Sequence, residues 1–168
     1  MSDGAERRGG PTATRAAERS RSSCELPSAA PRLEASRVIR YDGAGWDGVR
    51  AQRYKRDDTL FEAVTRRVLA APETAGFELR YFEIDGGGRS TLEHHDHVHV
   101  VVCVRGRGRV RLGGEEHDIG FGDIVYVAPG DPHQFRNVRG EPFGFLCIVD
   151  RERDRPVPLE RDEAGAES

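Results

Sequence analysis

Turn residues divide the chain into short segments from Gly76 onward, and this spacing limits the possible fold more than any other feature. Glycine and proline favour turns, whereas the segments between them are rich in Val, Ile and Phe, which favour strands. Short strands at regular spacing, with no convincing long helix, predict an all-β sandwich or barrel. The predicted strands are Phe77–Ile84, Thr91–Arg105, Arg109–Leu112, His117–Ile119, Ile124–Val127, His133–Asn137 and Phe143–Asp150.

The pattern is weaker in the chain before Gly76. Val38–Tyr41 and Gly48–Tyr54 are candidate short strands around a glycine-rich turn. Phe61–Ala70 fits either a helix or a strand, because its apolar spacing suits a helix while its β-branched residues suit a strand. The tetrapeptide Asp85–Gly88 is predicted to form the turn that ends the first clear strand.

Both ends of the chain have compositions that do not favour a packed core. Residues 1–37 are rich in Ala, Arg, Ser, Gly and Pro, and residues 159–168 are acidic and small. Such segments bury too little apolar surface to offset the entropy lost on ordering. We therefore expect a disordered tail over 1–37, a β-barrel domain over 38–158 and a flexible C-terminal tail over 159–168.

Composition excludes several classes of protein. The three cysteines, Cys24, Cys103 and Cys147, show no CxxC spacing, which argues against a disulfide framework and favours a reducing compartment. The net charge of -3 argues against a nucleic-acid partner, and no apolar run is long enough to span a membrane. We expect a cytoplasmic protein that binds neither nucleic acid nor membrane.

Polar residues alternate through the Val-rich segment. Glu93, His95, His97 and His99 lie two residues apart, and residues with this spacing share one face of a strand. Several imidazoles facing a barrel interior are costly to bury unless they are paired, and a metal ion pairs several at once. The alternation therefore predicts a metal site on this strand.

Two stretches of the sequence resemble the conserved motifs of one family. Gly87, Glu93, His95, His99 and Gly106 have the spacing of the first cupin motif, G-x5-H-x-H-x3-E-x6-G. Glu93 stands where the family has His and His99 where it has Glu, so the set remains three imidazoles and one carboxylate.

The second motif follows at the separation that the family requires. Gly122, Ala128, Gly130, His133 and Asn137 resemble G-x5-P-x-G-x2-H-x3-N, with Ala128 in place of the family's proline. Two motifs in the correct order form a much more specific signal than either alone.

The resemblance to single-domain cupins implies a double-stranded β-helix, or jelly-roll barrel, that binds one divalent metal. Carried over by position, the ligands are Glu93, His95, His99 and His133. A competing assignment uses His94 or His97 and leaves Glu93 beside the metal or as a catalytic acid or base. Imidazole and carboxylate ligands suit Fe, Mn, Ni, Cu or Zn, and we favour Fe or Mn.

The family also bounds the function without fixing the reaction. We expect a dioxygenase-type oxidoreductase acting on a small organic molecule. The alternatives are a non-redox metal-dependent isomerase or lyase, and a small-molecule-binding barrel without turnover. Many small cupins are homodimers, so a homodimer is expected here.

The sequence also leads to predictions for one arginine, two cysteines and one charged run. Arg80 would contact a substrate carboxylate or phosphate if it faced inward, but we expect a solvated surface arginine. Cys103 and Cys147 are expected to be buried in the core. The run Arg151–Arg155 alternates in charge and is expected to form a solvated edge, with a dimer contact as the alternative.

Overall fold

The computed structural model describes residues 33, 35–54 and 62–159. These residues form eleven β-strands, and no α-helix occurs among them. Nor does this part of the chain contain a helix able to cross a membrane. The strands are β1 Gln52–Arg53, β2 Glu62–Ala70, β3 Phe77–Arg89, β4 Glu93–His94, β5 His99–Arg105, β6 Arg107–Leu112, β7 Glu115–Gly120, β8 Ile124–Val127, β9 His133–Arg136, β10 Phe143–Asp150 and β11 Val157–Pro158.

All strand pairings are antiparallel, and the strands form one curled sheet. The main path runs β11-β4-β9-β3-β10-β5-β8, β1 and β2 extend the sheet beside β3, and β6 joins β7 to β9. Neighbours in the sheet are distant in sequence, as in β3 beside β10 and β5 beside β8. This is the jelly-roll barrel that the cupin resemblance implied, and the predicted strands Arg109–Leu112 and His117–Ile119 lie within β6 and β7, which pair as a hairpin.

The barrel interior is apolar and follows the alternation of the strands. Phe145 is packed between Phe82, with ring centroids 5.6 Å apart, and Phe135, at 4.8 Å. Cys103 and Cys147 are 0% and 1% exposed, which confirms both as core residues. Residues of eight strands, β2, β3 and β5 to β10, meet in one core, which holds the strand ends around the candidate site in fixed positions.

The strand β3 is longer than the sequence predicted. It continues through the glycine run to Arg89 instead of ending at Ile84, so the turn predicted at Asp85–Gly88 is wrong. The glycines allow the strand to pass close to another backbone: a Cβ on Gly86 would lie 3.1 Å from the carbonyl oxygens of Arg139 and Gly140. The strand pairs with β2 along most of its length, from Leu79 to Arg89, and with β9 at Arg89.

The predicted strand Thr91–Arg105 is interrupted. The chain leaves the sheet after β4 and returns at His99, where β5 begins. The backbone between β4 and β5 is fixed by contacts outside the strand pairing. The N–H group of Gly130 donates a hydrogen bond to the carbonyl of His95 at 2.8 Å. Gly130 has φ of 80°, a conformation that favours glycine, which explains the motif glycine in this turn.

The N-terminal part of the domain is less regular than predicted. Of the ambiguous segment Phe61–Ala70, the described residues Glu62–Ala70 form strand β2, and the strand predicted at Gly48–Tyr54 shortens to β1. Val38–Tyr41 forms no strand, because only Tyr41 pairs, through an isolated bridge with Trp46. The predicted tails lie outside the described residues, apart from residues 33, 35–37 and 159.

Candidate metal centre

Three histidines converge where β4 leaves the sheet and β5 begins. One side-chain nitrogen from each of His95, His97 and His99 can be chosen so that all three atoms lie within 4.8 Å of one another. Nε2 of His97 and Nε2 of His99 are 3.0 Å apart. His95 and His97 are buried and His99 is partly buried, so the cluster lies largely within the protein.

His133 brings a fourth imidazole from the other motif. It begins β9, and its ring centroid lies 4.7 Å from that of His95 and 5.6 Å from that of His99. Glu93 is its cross-strand partner in the pairing of β4 with β9 and is 7% exposed. The barrel thus places all four residues predicted from the motifs in one region, and it adds His97.

Three of the four imidazoles have their Nδ1 atoms fixed by oxygen atoms. Nδ1 of His95 lies 2.8 Å from the carbonyl of His97, and Nδ1 of His133 lies 2.9 Å from the carbonyl of Asp131. Nδ1 of His97 lies 2.6 Å from Oδ1 of Asp154. An imidazole that donates from Nδ1 presents the lone pair of Nε2, and metal-binding histidines are oriented in this way.

Asp154 contacts the imidazole cluster, and the sequence reading missed it. It lies in the charged run expected to be a solvated edge, yet its carboxylate also accepts hydrogen bonds from the backbone N–H groups of Asp96 and His97, at 2.9 and 3.1 Å. In the same run, Arg153 pairs with Glu78 at 3.0 Å. No spacing rule connects Asp154 with His97, because the contact depends on how the C-terminal segment folds back over β4.

The electrostatics favour the neutral form of three of the imidazoles, because the pKa values of His95, His99 and His133 are lowered. Burial first, and then the positive charge of Arg80, lower the pKa of His99 to about 2. Burial also lowers the pKa of His95 to about 4, with contributions from the charges of His97 and His133. The pKa of His133 is lowered, again mainly by burial. Neutral imidazole is the form that binds a metal.

Arg80 lies inside the barrel, so the expectation of a surface arginine is wrong. Its side chain is 4% exposed, because the alternation of β3 turns Arg80, Phe82 and Ile84 to the interior. The guanidinium donates a weak hydrogen bond from Nη2 to Sγ of Cys147 at 3.5 Å. The interior cavity is lined by apolar core residues and by Arg80, Ser90, Glu93, His99, His133 and Cys147.

The arrangement fits a divalent metal ion. Nε2 of His95 is buried and has no hydrogen-bond partner, which is costly for a polar atom unless a ligand satisfies it. Two nitrogens bound at right angles to one metal at about 2.1 Å would lie about 3 Å apart. The 3.0 Å between His97 and His99 agrees with that value. The three-histidine cluster can therefore hold a metal ion.

Comparisons with known proteins agree with the fold. A family model described as "Cupin domain" matches residues 80–149. A 1-methylthio-D-xylulose 5-phosphate methylsulfurylase from Rhodospirillum rubrum is 42% identical over 121 residues, which are 71% of this chain and 78% of the relative. The chain belongs to the cupin family. The match extends well beyond the two motifs of this cupin and covers most of its described domain.

Solved cupins resemble this cupin over a similar length. A cupin 2 conserved barrel domain protein from Rhodopseudomonas palustris has 43% identity and a TM-score of 0.69, over 76% of this chain and 88% of that chain. A polyketide cyclase from Streptomyces resistomycificus has 25% identity and a TM-score of 0.65, over 77% and 88%. The named relatives include enzymes of different reaction types, so membership of the family does not fix the reaction.

Proposed function

We propose that this cupin is a metal-dependent enzyme that transforms a small phosphorylated carbonyl compound without consuming oxygen. The observation that carries the proposal is the convergence of His95, His97 and His99, with one nitrogen of each within 4.8 Å of the others, in a largely buried site. A buried set of imidazoles binds a metal well and serves no evident purpose in packing.

Within this proposal, His95, His99 and His133 are metal ligands, as the motifs imply, and His97 is the fourth. The short distance between His97 and His99 supports His97 over Glu93 for this position. A divalent metal there, with Fe or Mn preferred over Ni, Cu or Zn, supplies Lewis-acid polarisation of a substrate carbonyl.

Glu93 is then available for proton transfer. It is 7% exposed, and it lines the interior cavity together with His99 and His133. A carboxylate in that position accepts the proton from the carbon next to a substrate carbonyl, and the electron pair of the C–H bond moves towards the carbonyl oxygen. Enolisation of this kind is common to isomerases and lyases, and both are within the proposal.

The substrate class is proposed from the similarity to the methylsulfurylase. That relative is named for action on 1-methylthio-D-xylulose 5-phosphate, and it is 42% identical to this chain. Ketose phosphates, including those with a 1-alkylthio substituent, are therefore the first compounds to test.

The dioxygenase predicted from the sequence is the second candidate. An all-imidazole donor set suits Fe(II) and other redox metals as well as Zn(II), and this observation keeps oxidation open as an activity. The two candidates differ in a measurable requirement, because only the second consumes oxygen.

The first experiment measures metal content and the oxygen dependence of turnover. Protein purified without added metal is analysed by mass spectrometry and then assayed with ketose phosphates in air and under nitrogen. Turnover under nitrogen supports the proposal, and turnover coupled to oxygen uptake supports the dioxygenase. Tight ligand binding without turnover, whatever metal is supplied, indicates the third class, a binding protein.

A pair of matched variants tests whether the metal binds at the histidine cluster. His95→Ala is expected to abolish metal retention, because it removes an imidazole whose Nε2 is buried without a partner. His117→Ala is the control, since His117 lies on β7 and is exposed. Equal metal content in the two variants would overturn the site assignment.

The oligomeric state and the cellular location of this cupin are also part of the proposal. We propose a homodimer formed through the outer face of β5, β8 and β10, where Tyr126 and Ile148 flank Val100 in the strand register. Ile124, Tyr126 and Ile148 are 69%, 59% and 40% exposed, an apolar content typical of an interface. Light scattering of the full chain tests this, and a monomer would contradict it. A cytoplasmic location stays a prediction from the sequence.

A further inference from the structure

Arg80 carries a positive charge into the barrel and is not held there by an ion pair with any described residue. Its side chain is 4% exposed. The nearby carboxylate of Glu78 pairs with Arg153 instead, at 3.0 Å. The guanidinium group of an arginine carries a positive charge under all ordinary conditions.

The contacts that Arg80 does make are weak. Nη2 donates to Sγ of Cys147 at 3.5 Å, and sulfur is a poor acceptor. The guanidinium carbon lies 5.4 Å from the ring centroid of Phe82, which gives a cation–π contact. Nε is buried and has no hydrogen-bond partner. These contacts replace only part of the hydration that an arginine loses on burial.

The position of Arg80 connects it to the candidate metal centre. Arg80, Glu93, His99 and His133 all line the interior cavity. The cavity is otherwise lined mainly by apolar side chains, so an electrostatic contact made within it is screened less than on the surface. A small molecule in this cavity would meet the imidazole cluster and the guanidinium at the same time.

We propose that Arg80 is an anion-binding subsite, which takes a carboxylate or phosphate group of the substrate inside the barrel. The planar guanidinium offers N–H donors in a fixed geometry that matches two oxygens of such a group. Binding would satisfy Nε and neutralise the charge at once. The inference deepens the proposed function and rests on it for the nature of the ligand, but anion binding can be tested without metal or turnover.

The experiment measures anion binding to the full chain after its metal has been removed with a chelator. Inorganic phosphate and acetate are titrated separately at constant ionic strength, with chloride as the balancing salt. Wild type, Arg80→Met, Arg80→Lys and the control Arg50→Met, at an exposed arginine, are compared. We expect phosphate, acetate or both to bind the wild type and Arg50→Met, and at least about tenfold weaker binding to Arg80→Met.

Arg80→Lys keeps the charge but loses the planar set of donors, so intermediate affinity is expected. This variant decides the question if Arg80→Met does not fold. Preference for phosphate or for acetate identifies which group the subsite takes. Binding to folded Arg80→Met or to Arg80→Lys at wild-type affinity would overturn the proposal.

A second measurement separates ligand binding from a structural role. Replacing an unpaired buried cation by an apolar residue of similar length removes a desolvation cost, so Arg80→Met is expected to melt no lower than wild type in buffer without these anions. A large fall in Tm would show that the protein alone satisfies the guanidinium, and would count against the subsite. Metal content, measured before chelation, tests the proposed function separately, because His95→Ala is expected to lose metal and keep anion binding.

Discussion

The carboxylate of Asp154 lies 2.6 Å from Nδ1 of His97, although 57 residues separate the two in the chain. β11 pairs with β4, and Leu159 donates a backbone hydrogen bond to Leu92 at 2.9 Å, so the C-terminal segment is fixed across the site. Burial raises the pKa of Asp154, but hydrogen bonds from His97 and from the backbone of Asp96 outweigh it, and the pKa falls to about 2. Asp154 is therefore ionised at neutral pH and orients the His97 ring.

Asp154→Ala is expected to weaken metal binding by about 10- to 100-fold, because the ring of His97 loses the acceptor that fixes its orientation. Competition with a chelator measures the affinity, and the absorption spectrum of the cobalt-substituted protein reports the ligand geometry. Asp154→Asn keeps an oxygen acceptor and should restore part of the affinity. Glu152→Ala, at an exposed neighbour, is the control. Wild-type affinity and an unchanged cobalt spectrum in Asp154→Ala would contradict the positioning role.

Glu93 and His97 are expected to separate into a catalytic residue and a ligand. Glu93→Gln should retain the metal and lose turnover by about 10²- to 10⁴-fold, the usual contribution of a general base. His97→Gln should lose metal content, because its Nε2 faces that of His99 at 3.0 Å. Metal content and turnover are measured on the same samples. The reverse pattern, with metal lost from Glu93→Gln and kept by His97→Gln, would restore the ligand set carried over from the cupin motifs.

Turn residues and alternation predicted an all-β sandwich or barrel and most of its strands, and the resemblance to cupins specified the jelly-roll barrel. Ile124–Val127 and Phe143–Asp150 were predicted with the bounds that the structure has, since each is a short apolar run between clear turn signals. The prediction of a turn at Asp85–Gly88 was wrong, because glycine permits both a turn and a strand that passes close to another backbone. Sequence alone does not distinguish these two uses of glycine.

The candidate site was predicted in part for the wrong structural reason. Alternation grouped His95, His97 and His99 correctly, yet His95 and His97 lie outside the strands, where the chain leaves the sheet. The grouping survives because that segment is fixed by Gly130 and Asp154, which come from distant parts of the chain. Such contacts leave no local periodicity, so sequence reasoning had no means to find Asp154.

Gly106→Ala is expected to destabilise the fold by about 2 kcal/mol or more, through backbone strain and a steric clash. Gly106 has φ of 63°, and an added Cβ would overlap the carbonyl oxygen of Pro142 in the turn before β10. Gly114→Ala is the matched control, since its Cβ would meet nothing within 4 Å and its φ is not positive. Urea unfolding measures both variants. Equal midpoints would show that the first-motif glycine is not required for the fold.

The stability of the metal-free protein is expected to fall as pH decreases from 7 to 5. Burial holds the pKa of His95 at about 4 and that of His99 at about 2, whereas in the unfolded chain both return to values near 6.5. At pH values between the folded-state and the unfolded-state pKa, the unfolded chain binds more protons than the folded protein. The free energy of unfolding therefore increases as pH rises and decreases as pH falls. Each histidine contributes at most about 1.4 kcal/mol per pH unit in this window.

The interval from pH 7 to 5 lies above the range in which most carboxylates titrate, so urea unfolding there isolates the histidines. His95→Gln should show a shallower dependence than wild type, whereas the exposed His117→Gln should not. A flat profile in the wild type, or the same slope in wild type and His95→Gln, would contradict burial of neutral imidazoles in the cluster.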